Sequence, residues 1–239
     1  MNNLNGATQR ARGVPIMKVH KRKIGLVRVL TVKDKELLES HGKSIESHFS
    51  DLSIITRCIP DQSKGIYDKE SEKAAIRKVI DLGLKFEEEV GVRAIIVSCA
   101  ADPGVVALKE QLNTPIIGAG SAVASLSLVY SNKVGVLGIG DRTPQTIKEI
   151  LGSCLVAESK PYGVKTTLDL MKKEAKKNSL IATKQLKQRG AKVIALACTG
   201  FSSIGIAQEL ESEVGIPVLD PVLAAGLFAW YLAKKRFGV

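Results

Sequence analysis

Cys99 and Cys198 are the residues of this chain whose type and placement point most directly to chemistry. They occupy matching positions in two similar segments, GVRAIIVSCAADPGV (Gly91 to Val105) and GAKVIALACTGFSSI (Gly190 to Ile204). In both, a glycine opens the segment, a basic residue follows two positions later, and an apolar run leads directly into the cysteine. A free thiol titrates near 8.5, and a helix N-terminus lowers that value by about a unit or more. A thiolate can therefore take a proton from an activated carbon, and a thiol can return one. Two such groups facing one another would work on opposite faces of that carbon, which is what stereochemical inversion requires. Duplication of one unit about a two-fold axis supplies such a pair.

The neighbours of each cysteine suit this chemistry. Ala100, Ala101, Thr199 and Gly200 have small side chains, so a substrate could approach their backbone closely. Their amides are expected to point into a cleft and hold an enolate-like oxygen. Asp102 and Pro103 read as a side-chain cap and a first-turn proline for the helix after Cys99. Ser202 and Ser203 would cap similarly after Cys198. Cys58 and Cys154 lie in or near apolar runs without a repeat partner and read as small buried hydrophobes.

The elements that must position these thiols follow from the repeat. KIGLVRVLT (Lys23 to Thr31) matches KVGVLGIGD (Lys133 to Asp141), and LNTPIIGAGSAV (Leu112 to Val123) matches VGIPVLDPVLAA (Val214 to Ala225). Short runs rich in Val and Ile, bounded by Gly or Pro, read as buried parallel strands. They alternate with helix-period segments such as ESEKAAIRKVIDLGLKFEEEV, which argues for an α/β fold. The expected architecture is two similar open parallel-sheet domains with helices on both faces, related by a pseudo-two-fold axis. Residues 1–22 form an N-terminal tail, 23–120 the first domain and 121–220 the second, with the C-terminal helix 221–239 returning to the first. TTLDLMKKEAKKNSLIATKQLKQRG reads as one long helix. Ligands bind such sheets at the carboxyl ends of the strands. Arg28, Gly118 and Asp141 sit at those ends and join the four small residues as candidate substrate contacts, with Arg142 a further charged neighbour.

Composition narrows the partners. The 239 residues are 45% hydrophobic and 25% charged, the balance of a globular chain. The net charge of +11 comes with only 4% aromatic residues, so the stacking platforms of single-strand nucleic-acid binders are missing. An anionic small molecule would also suit the charge. No apolar run approaches the roughly 20 residues that span a bilayer. The N-terminal stretch is basic without an apolar core, unlike a secretory signal, and Met17 could be the natural start. These features read as a cytoplasmic protein. The cysteines show no metal-ligand spacing, and His20, His41 and His48 are distant from them in sequence, so no metal is expected. A disulfide framework is not expected either.

The motifs VSCAADPGV, LACTGFSSI and PVLDPVLAA resemble the aspartate/glutamate/hydantoin racemase superfamily over roughly residues 23–239. Asp-Pro-Gly placed three residues after the first cysteine looks like the hydantoin and allantoin racemase branch. Amino-acid racemases more usually carry Asn-Thr and Thr-Glu where this chain has Ala100-Ala101 and Thr199-Gly200. The resemblance implies that Cys99 and Cys198 are the paired acid and base, that no pyridoxal phosphate or metal is used, and that a homo-oligomer is possible. Hydantoin racemases typically have an Asn-Pro-Asn-like segment after the first strand, where this chain has Arg28, Val29, Leu30 and Thr31. Arg28 could pair with a carboxylate or could face solvent. A hydantoin C5 proton lies beside a neutral imide carbonyl, whereas a free amino acid bears a carboxylate that resists further negative charge. The favoured reading is a racemase of 5-substituted hydantoins or allantoin-type compounds. The alternatives are an aspartate or glutamate racemase, a small-dicarboxylate isomerase or decarboxylase, and a non-catalytic binding protein. A redox pair would need the two Cα atoms within roughly 7 Å.

Overall fold

The computed structural model describes residues 21–235; most of the N-terminal tail, with Met17, and residues 236–239 lie outside the described residues. The first half runs β1 (Arg22–Arg28), α1 (Lys35–His48), β2 (Leu52–Cys58), α2 (Lys69–Val90), β3 (Ile95–Ser98), α3 (Val105–Gln111), β4 (Ile116–Gly118) and α4 (Ala119–Tyr130). The second half runs β5 (Val134–Leu137), α5 (Gln145–Leu151), β6 (Leu155–Ser159), α6 (Lys173–Gln188), β7 (Val193–Leu196), α7 (Gly200–Ser203), α8 (Ala207–Val214), β8 (Val218–Leu219) and α9 (Pro221–Lys234).

Each half builds a four-stranded parallel sheet, ordered β2-β1-β3-β4 and β6-β5-β7-β8. The α/β architecture with two equivalent sheets is thus the one the repeat implies. Register preserves the repeat: Gly25 pairs with Ile95 and Gly135 with Ile194, so each cysteine follows its strand at the same height. The cysteine strands IIVS and VIAL are wholly buried, as continuous apolar runs in a sheet covered on both faces should be.

The expected long helix over residues 166–190 is broken. Residues Thr167–Met171 form a tight 3-10 turn, and α6 starts only at Lys173. Thr166 and Asp169 form a reciprocal capping box there, which satisfies local amides in a turn rather than letting a helix run through. This turn carries Thr167 toward the second cysteine.

The last helix of each half crosses to the other. α4 packs on α5 and β7, α9 packs on α1 and β3, and the two helices pack on each other. The buried cluster between the sheets consequently draws on both halves, with Ile24, Leu26, Ile96, Val134, Val136 and Val222 among its members. Separate clusters fill the outer layers, around Phe86 in the first half and Phe201 in the second. Asp51, before β2, anchors α9 by accepting from Trp230 Nε1 at 2.8 Å and pairing with Lys234 at 3.5 Å.

The two crossing helices are capped by carboxylates delivered along different routes. Asp220 caps α9 itself, accepting from Val222 and Leu223 amides at 2.7 and 3.0 Å. The equivalent position before α4 is Gly118, and the carboxylate there belongs to Asp102, which accepts from Gly120 and Ser121 amides at 2.7 and 2.6 Å. A Cβ on Gly118 would lie 2.3 Å from the Asp102 carboxyl carbon, so glycine leaves the space that Asp102 fills. Asp102 was expected to cap the helix after Cys99. That helix starts later, at Val105, behind a left-handed Gly104.

The backbone at Gly118 (φ −86°, ψ 138°) is close to that at Asp220 (φ −81°, ψ 125°). An aspartate at 118 can therefore cap α4 as Asp220 caps α9. Asp102→Gly, which tolerates the positive φ of 54° there, should lower stability by about 1–3 kcal/mol through one buried and one half-buried amide left unbonded. Adding Gly118→Asp to that variant should restore most of the loss in urea unfolding. A double variant no more stable than Asp102→Gly would contradict this account of the cap.

Candidate active site

Cys99 and Cys198 leave the carboxyl ends of β3 and β7 and line one cavity of about 660 Å³ between the halves. Both thiols are buried, and they lie near enough that charge on Cys198 disfavours charge on Cys99. The floor around them is formed by Ser98, Ala100, Ala101, Ala197 and Thr199, with Thr167 from the 3-10 turn. Segments 28–30 and 65–69, with Glu72, line it from the first half, and segment 138–145 with Lys148 lines it from the second. The volume falls within the range typical of small-molecule sites.

The sulfurs have unequal surroundings. Cys198 Sγ receives the Gly200 amide at 3.4 Å and has the Thr167 hydroxyl at 3.9 Å, and the Phe201 amide also favours its charged form. Cys99 has the Ala101 amide, but Asp102 and Glu72 both disfavour negative charge on it. For both thiols burial outweighs the donors and pushes ionisation above the ordinary thiol range. The expectation that helix amides would lower these values is thus overridden by loss of solvent. Asp102 is itself raised, to about 6, because burial outweighs its amide bonds.

Not all the expected substrate contacts reach the cavity. Ala100, Ala101 and Thr199 line it, whereas Gly118 and Gly200 do not appear in its wall. Gly118 makes room for Asp102, and the Gly200 amide turns to the Cys198 sulfur. A Cβ on Gly200 would come within 2.7 Å of Thr167 and 3.3 Å of that sulfur, so glycine permits this close approach. Asp141 lies at the mouth, with its side chain exposed and paired to Lys160. Arg142 borders the same mouth.

Arg28 borders the cavity, but its guanidinium is bound by protein acceptors rather than by solvent. It is 3% exposed, and its guanidinium donates to the carbonyls of Leu37 and Leu38, to Ser40 Oγ at 3.1 Å and to Ser203 Oγ at 3.2 Å. Burial lowers it to about 10, which leaves it cationic at neutral pH. The serines expected to cap the second helix have other partners as well. Ser202 donates to Asp220 at 2.8 Å, and Ser203 meets Arg28 and His41.

His41 was not among the candidates. It is 1% exposed, with Nδ1 2.8 Å from Ser98 Oγ and Nε2 2.8 Å from Ser203 Oγ. The Thr199 hydroxyl donates to the Ser98 carbonyl at 3.2 Å. Polar contacts thus tie the residue before Cys99 to those after Cys198. Burial, with Arg28 nearby, holds the imidazole well below its ordinary value, so it is neutral. The only signal in sequence was a histidine on the helix stripe that buries Gly42 and Ile45.

The comparisons with known proteins agree with this geometry. The model of the family described as Asp/Glu/Hydantoin racemase matches residues 37–227. The chain belongs to the Asp/Glu/hydantoin racemase family. It is 25% identical over 197 residues to a hydantoin racemase from Paenarthrobacter aurescens, covering 79% of this chain and 82% of that protein. Its fold is similar to an allantoin racemase from Klebsiella pneumoniae, with a TM-score of 0.77 at 21% identity over 89% of this chain and 87% of that one. It is also similar to a glutamate racemase from Bacillus anthracis, with a TM-score of 0.68 at 16% identity over 91% and 84% of the two chains. The Asp/Glu/hydantoin racemase fold therefore spans both halves described here.

The surroundings of the two thiols predict an order of ionisation. Alkylation by iodoacetamide, mapped by peptide mass spectrometry, should be slow for both at neutral pH and rise about tenfold per pH unit toward pH 9. Cys198 should react before Cys99 as pH rises, and Thr167→Val should narrow the gap. Earlier modification of Cys99 would overturn the assignment.

Proposed function

We propose that this member of the racemase family inverts a carbon stereocentre by passing a proton between Cys99 and Cys198, without a cofactor. The observation that carries the reading is the arrival of both cysteines, from equivalent strands of two sheets, in one cavity. In this reading one sulfur is thiolate and the other thiol at the start of a turnover. The thiolate takes the proton from the near face of the carbon, and the electron pair moves onto the adjacent carbonyl oxygen. The opposite thiol returns a proton to the far face, which leaves the protonation states exchanged and the centre inverted. The amides of Ala100 and Thr199, beside the two sulfurs, are the proposed donors to the transient oxyanion.

The proposed substrates are 5-substituted hydantoins or allantoin-type ureides, handled in the cytoplasm. Two features support a neutral ring over a free amino acid. The guanidinium of Arg28, although at the cavity wall, already has Ser40, Ser203 and α1 carbonyls as partners, and a substrate carboxylate would have to compete with them. Glu72 lines the cavity and disfavours negative charge at Cys99, which opposes a second carboxylate beside that sulfur and suits a ring N–H donor. The names of the hydantoin and allantoin racemases to which the chain is similar point the same way.

Proton NMR in heavy water tests the proposal on 5-substituted hydantoins, allantoin, aspartate and glutamate. The C5 proton of a hydantoin or of allantoin should be lost with inversion, and Cys99→Ser and Cys198→Ser should each lower inversion by about 100-fold or more. Because burial raises both thiols, log kcat/KM should climb with a slope of about one between pH 7 and 9 as the required thiolate becomes populated. Exchange of aspartate or glutamate alone would transfer the assignment to an amino-acid racemase. No exchange on any compound would remove the racemase assignment for these substrates.

A further inference from the structure

We propose that His41 is a positioning residue that sets the spacing of the two thiols, and so determines whether a proton taken from one face is replaced on the other. The proposal rests on the two-thiol reading above. Inversion depends on a distance that neither half controls alone. Cys99 is carried by β3 and Cys198 by the turn into α7, and each belongs to a different sheet. If the sulfurs drift apart, the thiolate can still take a proton, but the opposite thiol arrives too far away to complete the transfer. The proton, or a solvent deuteron, then returns to the face it left.

The imidazole reaches both carriers from a third element. His41 lies on α1, Ser98 directly precedes Cys99, and Ser203 closes the short helix after Cys198. The neutral ring has one donor and one acceptor, and it meets one hydroxyl at each nitrogen, both at 2.8 Å. Arg28 donates to Ser203 Oγ on the same side, while its NH1 holds α1 through Leu38 and Ser40. The ring is therefore held against the β3 end of the first sheet and the α7 turn of the second half together. Among the described residues, no buried side-chain N or O lacks a hydrogen-bond partner, so the contacts form a closed set with little freedom to relax. His41 is not in the cavity wall, and its ring nitrogens meet Ser98 and Ser203, which is why its role is positional.

The test compares wild type, His41→Ala, His41→Gln and Ser203→Ala on one enantiomer of 5-benzylhydantoin in heavy water. Deuterium in the recovered enantiomer measures exchange with retention; deuterium in the opposite enantiomer measures inversion. In His41→Ala, inversion should fall by about 100-fold and exchange with retention by less than about tenfold, since small misplacements of reacting groups have effects of that order. His41→Gln, which keeps one donor and one acceptor, should recover part of the inversion. Ser203→Ala removes the second-half contacts of His41 and of Arg28 while leaving the imidazole on Ser98, and it should shift the ratio in the same direction, which serves if His41→Ala does not fold. Equal loss of both rates in these variants would overturn the proposal.

A measurement without substrate separates this proposal from the functional reading. The short bis-alkylating reagent 1,3-dibromoacetone should bridge Cys99 to Cys198 in wild type, and single attachment should replace the bridge in His41→Ala and Ser203→Ala. An unchanged proportion of bridged product, or no bridge in wild type, overturns the positioning role. If the bridge behaves as expected while no compound exchanges its proton, the substrate assignment falls and the positioning role stands.

Discussion

The hydrogen bond from the Thr199 hydroxyl to the Ser98 carbonyl joins the two halves at the residues that flank the two cysteines. A two-sheet molecule has no intrinsic reason to hold two strand ends at a fixed separation, because each sheet closes its own backbone hydrogen bonds. The separation has to come from contacts between the halves. At the site these are the Ser98, Thr199, Ser203 and His41 contacts; farther away they are the crossing helices α4 and α9. The apolar cluster shared by the halves drives their docking through the same burial of apolar surface that folds each one.

That same docking sets the electrostatics of the site. Bringing the two strand ends together buries both sulfurs, and desolvation raises the thiols further than the nearby amides lower them. Carbon acids are weak, and a thiol that resists ionisation in a dry site is a correspondingly strong base once ionised. The donors around Cys198 and the carboxylates near Cys99 break the symmetry that duplication would otherwise impose. The two sulfurs therefore differ in how readily each carries charge.

The departures from symmetry are as informative as the repeat. One carboxylate caps each crossing helix, but Asp102 reaches α4 from the Cys99 loop while Asp220 caps α9 from its own chain position. The first-half cap thereby joins the Cys99 loop to the helix that packs on the second sheet. Arg28 and His41 have no counterparts in the second half: the position matching Arg28 is Gly138.

Much of this was legible in the residues themselves. Apolar runs with equal spacing to a cysteine can only be equivalent buried strands, so the two sheets, their parallel sense and the pairing of Cys99 with Cys198 follow from local pattern and its repetition. What tertiary structure decided was the partner of each polar side chain. Asp102 and Ser203 read as caps of the helices that follow them, because capping is judged from neighbours in sequence. In the folded chain Asp102 finds the open amides of α4, and Ser203 finds a histidine 162 positions earlier. Arg28 reads as a substrate contact from its place at a strand end; it does line the cavity, while α1 supplies most of the partners of its guanidinium. His41 carried only the signal of its buried stripe, because its importance lies in two serines brought together from different halves. A pattern along the chain specifies which residues are buried and on which element; which buried donors meet which acceptors is a property of the packed halves.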